Sequence, residues 1–225
     1  SGAILFEGKD VAQTGLAGHR KKNVSFIFQS YNLIDYMTPQ ENVRLTSKKP
    51  ALPFLERLGL TREESKRNVL KLSGGQRQRV GIAQALLGDP SFFIFDEPTV
   101  GLDPEERIHF RNLFSQTAQN RLVLLSTHII EDVQSVCDQL VVIHHGRILF
   151  AGTPEELILT AQGHVGIFWE QEAFEKEGLH ITARVNTSQG IRCRAVAESL
   201  PACAVPEEPS LEDAYLYLIS REVVS

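Results

Sequence analysis

Short apolar runs alternate with amphipathic segments through much of this 225-residue chain. Residues 92–95 and the run within 121–128 are continuous and apolar, as expected of strands that are buried on both faces of a parallel sheet. A third strand is predicted over residues 23–29, where the pattern alternates before it becomes apolar. Apolar residues recur at helical spacing over 80–87 and 105–118. The pattern predicts an α/β fold with a mainly parallel sheet.

Capping residues mark the predicted starts of several helices. Thr38, Pro39 and Glu41 have the spacing of a capping box with proline at the first helical position. The same reasoning predicts helix starts at Thr61 and Thr153. Residues 48–71 are therefore predicted to form short amphipathic helices that pack on the core.

The composition of the chain changes beyond about residue 161. Residues 165–170, 180–186 and 191–196 are predicted to be short strands, followed by a proline-rich break and a helix over 210–219. The expected organisation is a main domain over residues 1–160 and a small α+β accessory domain over 161–225. No residue of the second part has an evident chemical role, so regulation or dimer contacts are its expected functions.

Charge and composition narrow the function classes. The formal net charge of −5 argues mildly against a nucleic-acid binder, so no nucleic acid is expected as a partner. The basic cluster at residues 19–22 is predicted to be a solvated turn. No apolar run approaches the ~18 residues of a membrane span, so membrane association is expected to come through a partner. The three cysteines lack metal-ligand spacing and are interpreted as reduced thiols.

A glycine-rich turn precedes the helix over residues 80–87. It runs Ser73-Gly74-Gly75-Gln76, and Ser73 is a good N-cap. The two glycines let backbone N–H groups approach an anion, and the helix N-terminus adds positive potential. The turn therefore predicts a phosphate contact, although such a sequence taken alone is more often only a helix cap.

Polar residues follow each of the predicted strands. Asp96 and Glu97 end the apolar run 92–95, His128 ends the next strand, and Gln29 closes the first. Open α/β sheets bind their ligands at the carboxyl ends of their strands. Each residue alone has a structural interpretation as a loop or hydrogen-bonding residue, but the order of the whole set favours a site.

Taken together, these segments resemble the ATP-binding cassette (ABC) ATPases. LSGGQ at residues 72–76 is similar to their signature motif, FFIFDE at 92–97 to their Walker B motif, and VGLDP at 100–104 to their D-loop. FIFQSYNLI at 26–34 is similar to their Q-loop. The resemblance implies a P-loop NTPase-type fold with a helical subdomain, and it implies ATP and Mg²⁺ as ligands.

The resemblance also implies residue roles. Asp96 and Gln29 would hold magnesium, Glu97 would be the general base, and His128 would contact the γ-phosphate. The turn Ser73, Gly74, Gly75 and Gln76 would contact the γ-phosphate that the other subunit binds, and Asp103 would couple the two sites. A head-to-tail dimer is therefore expected, with a second nucleotide-binding subunit and a transmembrane permease as partners.

The wider sequence context of these motifs resembles exporters. Both the Q-loop region and the ending PSLEDAYLYLI at 209–219 favour drug, peptide or lipid export. The expected location is the cytoplasmic face of the membrane, peripheral through the permease. A DNA-repair or ribosome-associated ABC ATPase, and a non-catalytic ABC-like interaction subunit, remain as alternatives.

The phosphate loop of the family is not found in the sequence. It requires Gly-x-x-x-x-Gly-Lys-Ser/Thr, whereas the single Gly-Lys pair, Gly8-Lys9, is followed by Asp10. Three explanations stay open: a fragment of a longer protein, a degenerate ATPase, or a misleading resemblance. The first is favoured, because the residues that the resemblance makes catalytic are intact.

Overall fold

The computed structural model describes residues 3–119, 121–171 and 178–223. Internal contacts divide the chain into two units, the first ending at His128 and the second beginning at Ile129. The domain boundary expected at residue 160 differs from this division. That boundary stays a prediction about the extent of the main domain.

The first unit contains a parallel three-stranded sheet in the order β3-β4-β5. Before this sheet, the unit begins with a separate antiparallel hairpin, whose turn is at Glu7 and Gly8, both with positive φ. The prediction of an α/β fold with a parallel sheet is thus confirmed. The elements are β1 (Leu5–Phe6), β2 (Lys9–Asp10), α1 (Val11–Thr14), α2 (Leu16–Asn23), β3 (Val24–Ile27), α3 (Pro39–Arg44), α4 (Ala51–Arg57), two 3₁₀ turns (Glu64–Lys66 and Val69–Lys71), α5 (Gly74–Leu87), β4 (Phe92–Asp96), α6 (Pro104–Ala118) and β5 (Leu122–Ser126).

The predicted capping residues act at several of these helix starts. Thr38 and Glu41 form a complete capping box at α3, and Ser73 and Gln76 form one at α5. Thr61 makes the same hydrogen bonds with Glu64, but only a 3₁₀ turn follows. Local capping therefore fixes where a turn begins, whereas packing decides whether it continues as a helix.

Two apolar clusters hold the first unit together. Phe93 and Phe95 are buried on one face of the sheet, and the ring of Phe95 contacts Phe110 and Phe114 of α6 edge-on, at 6.4 and 4.3 Å between centroids. In the second cluster, α3, α4 and the segment from Val69 to Leu72 pack on α5. Its buried members are Val43, Ala51, Leu55, Leu60, Val69, Leu72, Val80, Ala83 and Leu87.

Two sequence predictions for the first unit are wrong. Residues 19–22 form part of helix α2 rather than a solvated turn. This helix is tied locally, because His19 contacts the ring of Phe6 and bonds Asn23 one turn later at 3.0 Å. Strand β5 is not buried on both faces, since Leu122 and Leu124 are 67% and 54% exposed. Leu124 lies in register with Ile94 and Phe26, and Phe26 is itself 39% exposed, so this face of the sheet is only partly covered.

Leu124→Lys in the 225-residue chain should change the free energy of unfolding by less than about 0.5 kcal/mol, since the side chain already faces water. It should also reduce self-association, because a charge on an exposed edge strand opposes edge-to-edge pairing. Leu125→Lys is the matched control on the face of Phe95 and should cost about 1–3 kcal/mol. Urea denaturation and light scattering measure both effects. Equal destabilisation by the two variants would contradict the exposure of Leu124.

The second unit combines helices with an antiparallel sheet in the order β11-β8-β10-β9. The predicted strands and closing helix of this region are all present. A separate hairpin pairs β6 with β7. The elements are α7 (Ile130–Val136), β6 (Leu140–His144), β7 (Arg147–Gly152), α8 (Pro154–Thr160), β8 (Val165–Trp169), β9 (His180–Thr187), β10 (Gly190–Val196), β11 (Val205–Pro206) and α9 (Leu211–Val223).

A buried ion pair joins α9 to the sheet of the second unit. Asp213, which is 1% exposed, accepts three hydrogen bonds from Arg194 at 2.7–3.1 Å. The backbone N–H and hydroxyl of Ser210 and the hydroxyl of Thr182 also donate to it, at 2.6–2.9 Å. Burial alone would raise the pKa of Asp213, but the hydrogen bonds from Arg194, Ser210 and Thr182 lower this pKa below its ordinary value.

None of the described helices is both long enough and apolar enough to span a bilayer.

Candidate functional site

Four of the predicted site residues gather at one edge of the parallel sheet. Asp96 is the last residue of β4 and Glu97 follows it, while His128 lies two residues beyond β5 and Gln29 two residues beyond β3. Because the three strands are parallel, their carboxyl ends share this edge. The sheet therefore brings together residues that are almost 100 positions apart in sequence.

The backbone turns sharply at Glu97. Its φ of 47° lies in the left-handed region that residues other than glycine seldom adopt. Its backbone N–H donates to the carbonyl oxygen of Ser126 at 2.9 Å, which anchors the turn to the end of β5. This strained conformation directs the side chain towards the residues that follow β5.

Glu97 and His128 form the central contact of the site. Oε1 of Glu97 lies 2.9 Å from Nδ1 of His128, and the Glu97 side chain is 22% exposed while that of His128 is 72% exposed. The second carboxylate oxygen, Oε2, is buried and lacks a hydrogen-bond partner within the described residues. A buried acceptor without a donor is costly, so this oxygen is suited to a water or ligand hydrogen.

Asp96 and Gln29 are exposed beside this pair. Neither side chain makes a hydrogen bond or ion pair with any other residue that the structure describes, so both oxygens are open to a ligand. Hard oxygen donors suit Mg²⁺, which is usually held by one or two protein groups together with water and phosphate oxygens. No group of three or more His, Cys, Asp or Glu residues able to hold a metal occurs in the described ranges. A carboxylate and an amide thus fit a magnesium ion that a nucleotide helps to hold.

The glycine-rich turn forms a second group of predicted site residues. Oγ of Ser73 accepts the N–H of Gln76 at 3.1 Å, and the Gln76 side chain accepts the N–H of Ser73 at 2.9 Å. Nε2 of Gln76 also donates to Glu64 at 2.7 Å, which fixes the turn to the preceding helical region. The N–H groups of Gly74 and Gly75 belong to the first turn of α5, where helices carry unpaired donors and positive potential.

Asp103 caps the helix that follows the sheet edge. Its Oδ1 accepts the N–H of Glu106 at 2.8 Å, and Pro104 occupies the first turn of α6. The side chain of Glu106 turns away from the cap and lies against Gly75 of the glycine-rich turn. The contacts therefore form two groups: one joins Glu97 to His128, and the other joins the turn to the start of α6.

Sequence reasoning missed Glu106 and Glu64 as contributors to the second group. The spacing of Asp103 and Glu106 has the pattern of a capping box, which could have singled out Glu106 as a helix-start residue. That pattern predicts a bond back to the cap and gives no sign of the contact with Gly75. The contact depends on how α5 and α6 pack, and their packing is set by residues distant in sequence.

Comparison with known proteins shows that the chain is similar to ATP-binding proteins of ABC transporters. A family model described as ABC transporter matches residues 1–100, which include the glycine-rich turn and the Asp96-Glu97 strand end. The methionine import ATP-binding protein MetN of Caulobacter vibrioides is 36% identical over 173 residues, covering 71% of this chain and 52% of that protein. The uncharacterized ABC transporter ATP-binding protein YclH of Bacillus subtilis is 37% identical over 149 residues, covering 61% of this chain and 66% of that protein.

A relative named for export also matches. The Nod factor export ATP-binding protein I of Rhizobium sp. is 32% identical over 177 residues, covering 74% of this chain and 56% of that protein. The chain thus spans about half to two thirds of the length of these relatives.

Solved structures share the fold. The dimeric structure of a bacterial ABC transporter cassette superposes with a TM-score of 0.61 at 25% identity, covering 68% of this chain and 73% of that one. A post-hydrolysis state of the same cassette, bound to ADP and phosphate, has the same TM-score at 24% identity.

Proposed function

We propose that this chain, whose residues 1–100 match a family model described as ABC transporter, is part of the subunit that hydrolyses ATP to drive a membrane transporter. One observation carries the proposal. At the carboxyl edge of a parallel sheet, the Glu97 carboxylate contacts His128 and presents a buried oxygen that has no partner in the described part of the chain, beside the exposed carboxylate of Asp96. That is the arrangement needed to place a water molecule next to a phosphate.

Glu97 orients and deprotonates the attacking water. Oε1 is held by His128 at 2.9 Å, which leaves Oε2 to accept a hydrogen bond from the water. As the water oxygen bonds to the γ-phosphorus and the bond to the leaving ADP oxygen breaks, the proton passes to Oε2. Because His128 is largely exposed, it can also face the γ-phosphate.

Asp96 and Gln29 are the residues that would hold Mg²⁺. When bound, the ion would neutralise part of the negative charge of the phosphates. Asp96 ends β4 with an exposed side chain, whereas the turn at Glu97 brings that second carboxylate against His128. The two carboxylates can therefore serve different groups of one nucleotide.

The glycine-rich turn acts on the nucleotide of another subunit. Ser73, Gly74, Gly75 and Gln76 open α5, whose N-terminus favours an anion, and in our proposal they contact the γ-phosphate held by a second copy or a related subunit. Asp103 would couple the two sites across that interface. Each site is then complete only in a head-to-tail dimer.

The transporter's remaining parts are also proposals. A transmembrane permease subunit would bind next to Gln29, which places this chain at the cytoplasmic face of the membrane. We propose export as the direction, supported by the export-like sequence at residues 209–219 and by one export-named relative, although several relatives are named for import. Residues 161–225 would form an accessory domain for regulation or dimer contacts.

Phosphate release by the full-length protein tests the proposal. Mg-ATP should be hydrolysed at a rate that rises more steeply than the first power of protein concentration at low concentration, because the site needs two subunits. The 225-residue chain, which has no Gly-x-x-x-x-Gly-Lys-Ser/Thr run, should bind Mg-ATP weakly in calorimetry. A full-length protein without ATPase activity, alone and with its membrane partner, would refute the proposed function. Substrate uptake by inverted vesicles would support export, and uptake by right-side-out vesicles would refute it.

A further inference from the structure

Glu106 occupies space that a side chain at Gly75 would need. A Cβ atom built on Gly75 would lie 1.7 Å from Oε1, 2.0 Å from Cδ and 2.3 Å from Oε2 of Glu106. The neighbouring Gly74 has open space at the corresponding position. The carboxylate is therefore packed directly on the glycine-rich turn, and a side chain at Gly75, unlike one at Gly74, would displace it.

The surroundings of Glu106 favour a negative charge at this place. The carboxylate lies by the N-terminus of the 14-residue helix α5, where the helix dipole is positive. Arg79, one turn further along α5, approaches Oε1 to 3.9 Å, and the two side chains are only 28% and 21% exposed. Both features draw the first turn of α6 towards the first turn of α5.

The same residue is joined to Asp103 through its backbone. Its N–H donates to Oδ1 of Asp103 at 2.8 Å, so one residue contacts the cap of α6 and the glycine-rich turn at once. Asp103 and the turn are the two elements proposed to face the second subunit. A residue that ties them together determines whether they move together.

We propose that Glu106 is a positioning residue that fastens the glycine-rich turn to the start of α6, so that both partner-facing elements move as one body when ATP closes the dimer. The inference rests on the proposed function. Glu106 has no role in binding nucleotide within its own subunit. Its loss should therefore weaken dimer closure and the coupling of the two sites, while the chemical step in a closed dimer stays intact.

Glu106→Gln in the full-length protein tests this role, with Glu105→Gln as the matched control. Glu105 is an exposed carboxylate in the same helical turn. Glu106→Gln should raise the ATP concentration for half-maximal turnover about tenfold and lower the Hill coefficient towards 1, with kcat changed less than about twofold. Nucleotide affinity of the isolated subunit should not change, and Glu105→Gln should match the wild type. A purely structural role would instead lower the active fraction and kcat, leaving the Hill coefficient unchanged.

A double-mutant cycle between Gly75 and Glu106 separates the loss of their contact from a general loss of stability. Gly75→Ala places a methyl group against the carboxylate and should lower Tm more than Gly74→Ala does. In the double variant Gly75→Ala/Glu106→Ala the space is vacated, so Tm should return to that of Glu106→Ala alone, while the Hill coefficient stays low. Equal Tm values for the two glycine variants, or a Glu106→Gln enzyme with normal cooperativity, would overturn the inference. A wild-type protein that hydrolyses no ATP would instead refute the proposed function.

Discussion

Glu97→Gln is expected to reduce ATP turnover by the full-length protein at least about 100-fold while nucleotide binding is retained. Glutamine preserves the size of the side chain and its bond with His128, but its neutral amide cannot take the proton of the attacking water. Because Oε2 of Glu97 is buried and has no partner among the described residues, the substitution changes the position at which a water would be activated. The hydrolytic step should fail and leave ATP bound, so the ATP-bound dimer should accumulate.

Steady-state phosphate release and size-exclusion chromatography with Mg-ATP measure the two effects. Glu105→Gln removes a carboxylate that is exposed and has no proposed part in the reaction, and it should hydrolyse ATP normally. Turnover by Glu97→Gln within a few-fold of the wild type would show that Glu97 is not the base.

Asp213→Ala is expected to lower the free energy of unfolding of the second unit by about 3 kcal/mol, because it leaves the Arg194 guanidinium half-buried without its partner. Ser210 and Thr182 would also lose their common acceptor. Glu212→Ala, at the exposed neighbouring position on α9, should change this free energy by less than about 0.5 kcal/mol. Urea denaturation measures the loss of free energy of unfolding, and hydrogen exchange of the β9 and β10 amides shows whether it falls in the second unit. Equal effects of the two substitutions would contradict the role of the ion pair.

The same ion pair predicts a pH dependence. Asp213 has a pKa below its ordinary value in the folded chain, so it binds protons more readily when unfolded. Its contribution is therefore fully present above the ordinary aspartate pKa of about 3.9 and is lost as pH falls through the lower, folded pKa. The wild-type chain should lose more stability than Asp213→Ala between about pH 4 and the onset of acid unfolding. Parallel pH profiles of the two proteins would count against this assignment.

Local sequence signals predicted most of the elements. The capping boxes at Thr38, Ser73 and Thr153 are all present, and the apolar run that ends in Asp96 is a central parallel strand. The capping predictions succeed because a cap and its partner lie within a few positions of each other, and a continuous apolar run is typical of a central parallel strand. The strands and helix predicted beyond residue 161 are also present for the same reason.

The failures lie where packing between distant segments decides the outcome. Helix α2 has no continuous apolar face to reveal it, and it is held by contacts such as that of His19 with Phe6. Strand β5 has the composition of a buried strand, but Leu122 and Leu124 lie on a face of the sheet that is only partly covered. A single sequence records the apolar pattern and does not record which neighbours will cover it.

The sequence predicted which residues form the site, but it predicted only some of the contacts between them. The carboxyl ends of parallel strands predicted the shared edge of Asp96, Glu97, His128 and Gln29. The pairing of Glu97 with His128 and the positive φ of Glu97 could not be predicted, because both depend on the neighbouring strand. The roles assigned to these residues, and to the turn at Ser73–Gln76, remain predictions that the variants above test.

The structure of full-length Glu97→Gln with Mg-ATP is the most direct test of a nucleotide shared between subunits. We predict two copies, or this subunit and a related one, with each triphosphate enclosed between Asp96 and residue 97 of one subunit and Ser73, Gly74 and Gly75 of the other. A triphosphate contacted by both groups of a single subunit, or bound away from both, would contradict the account.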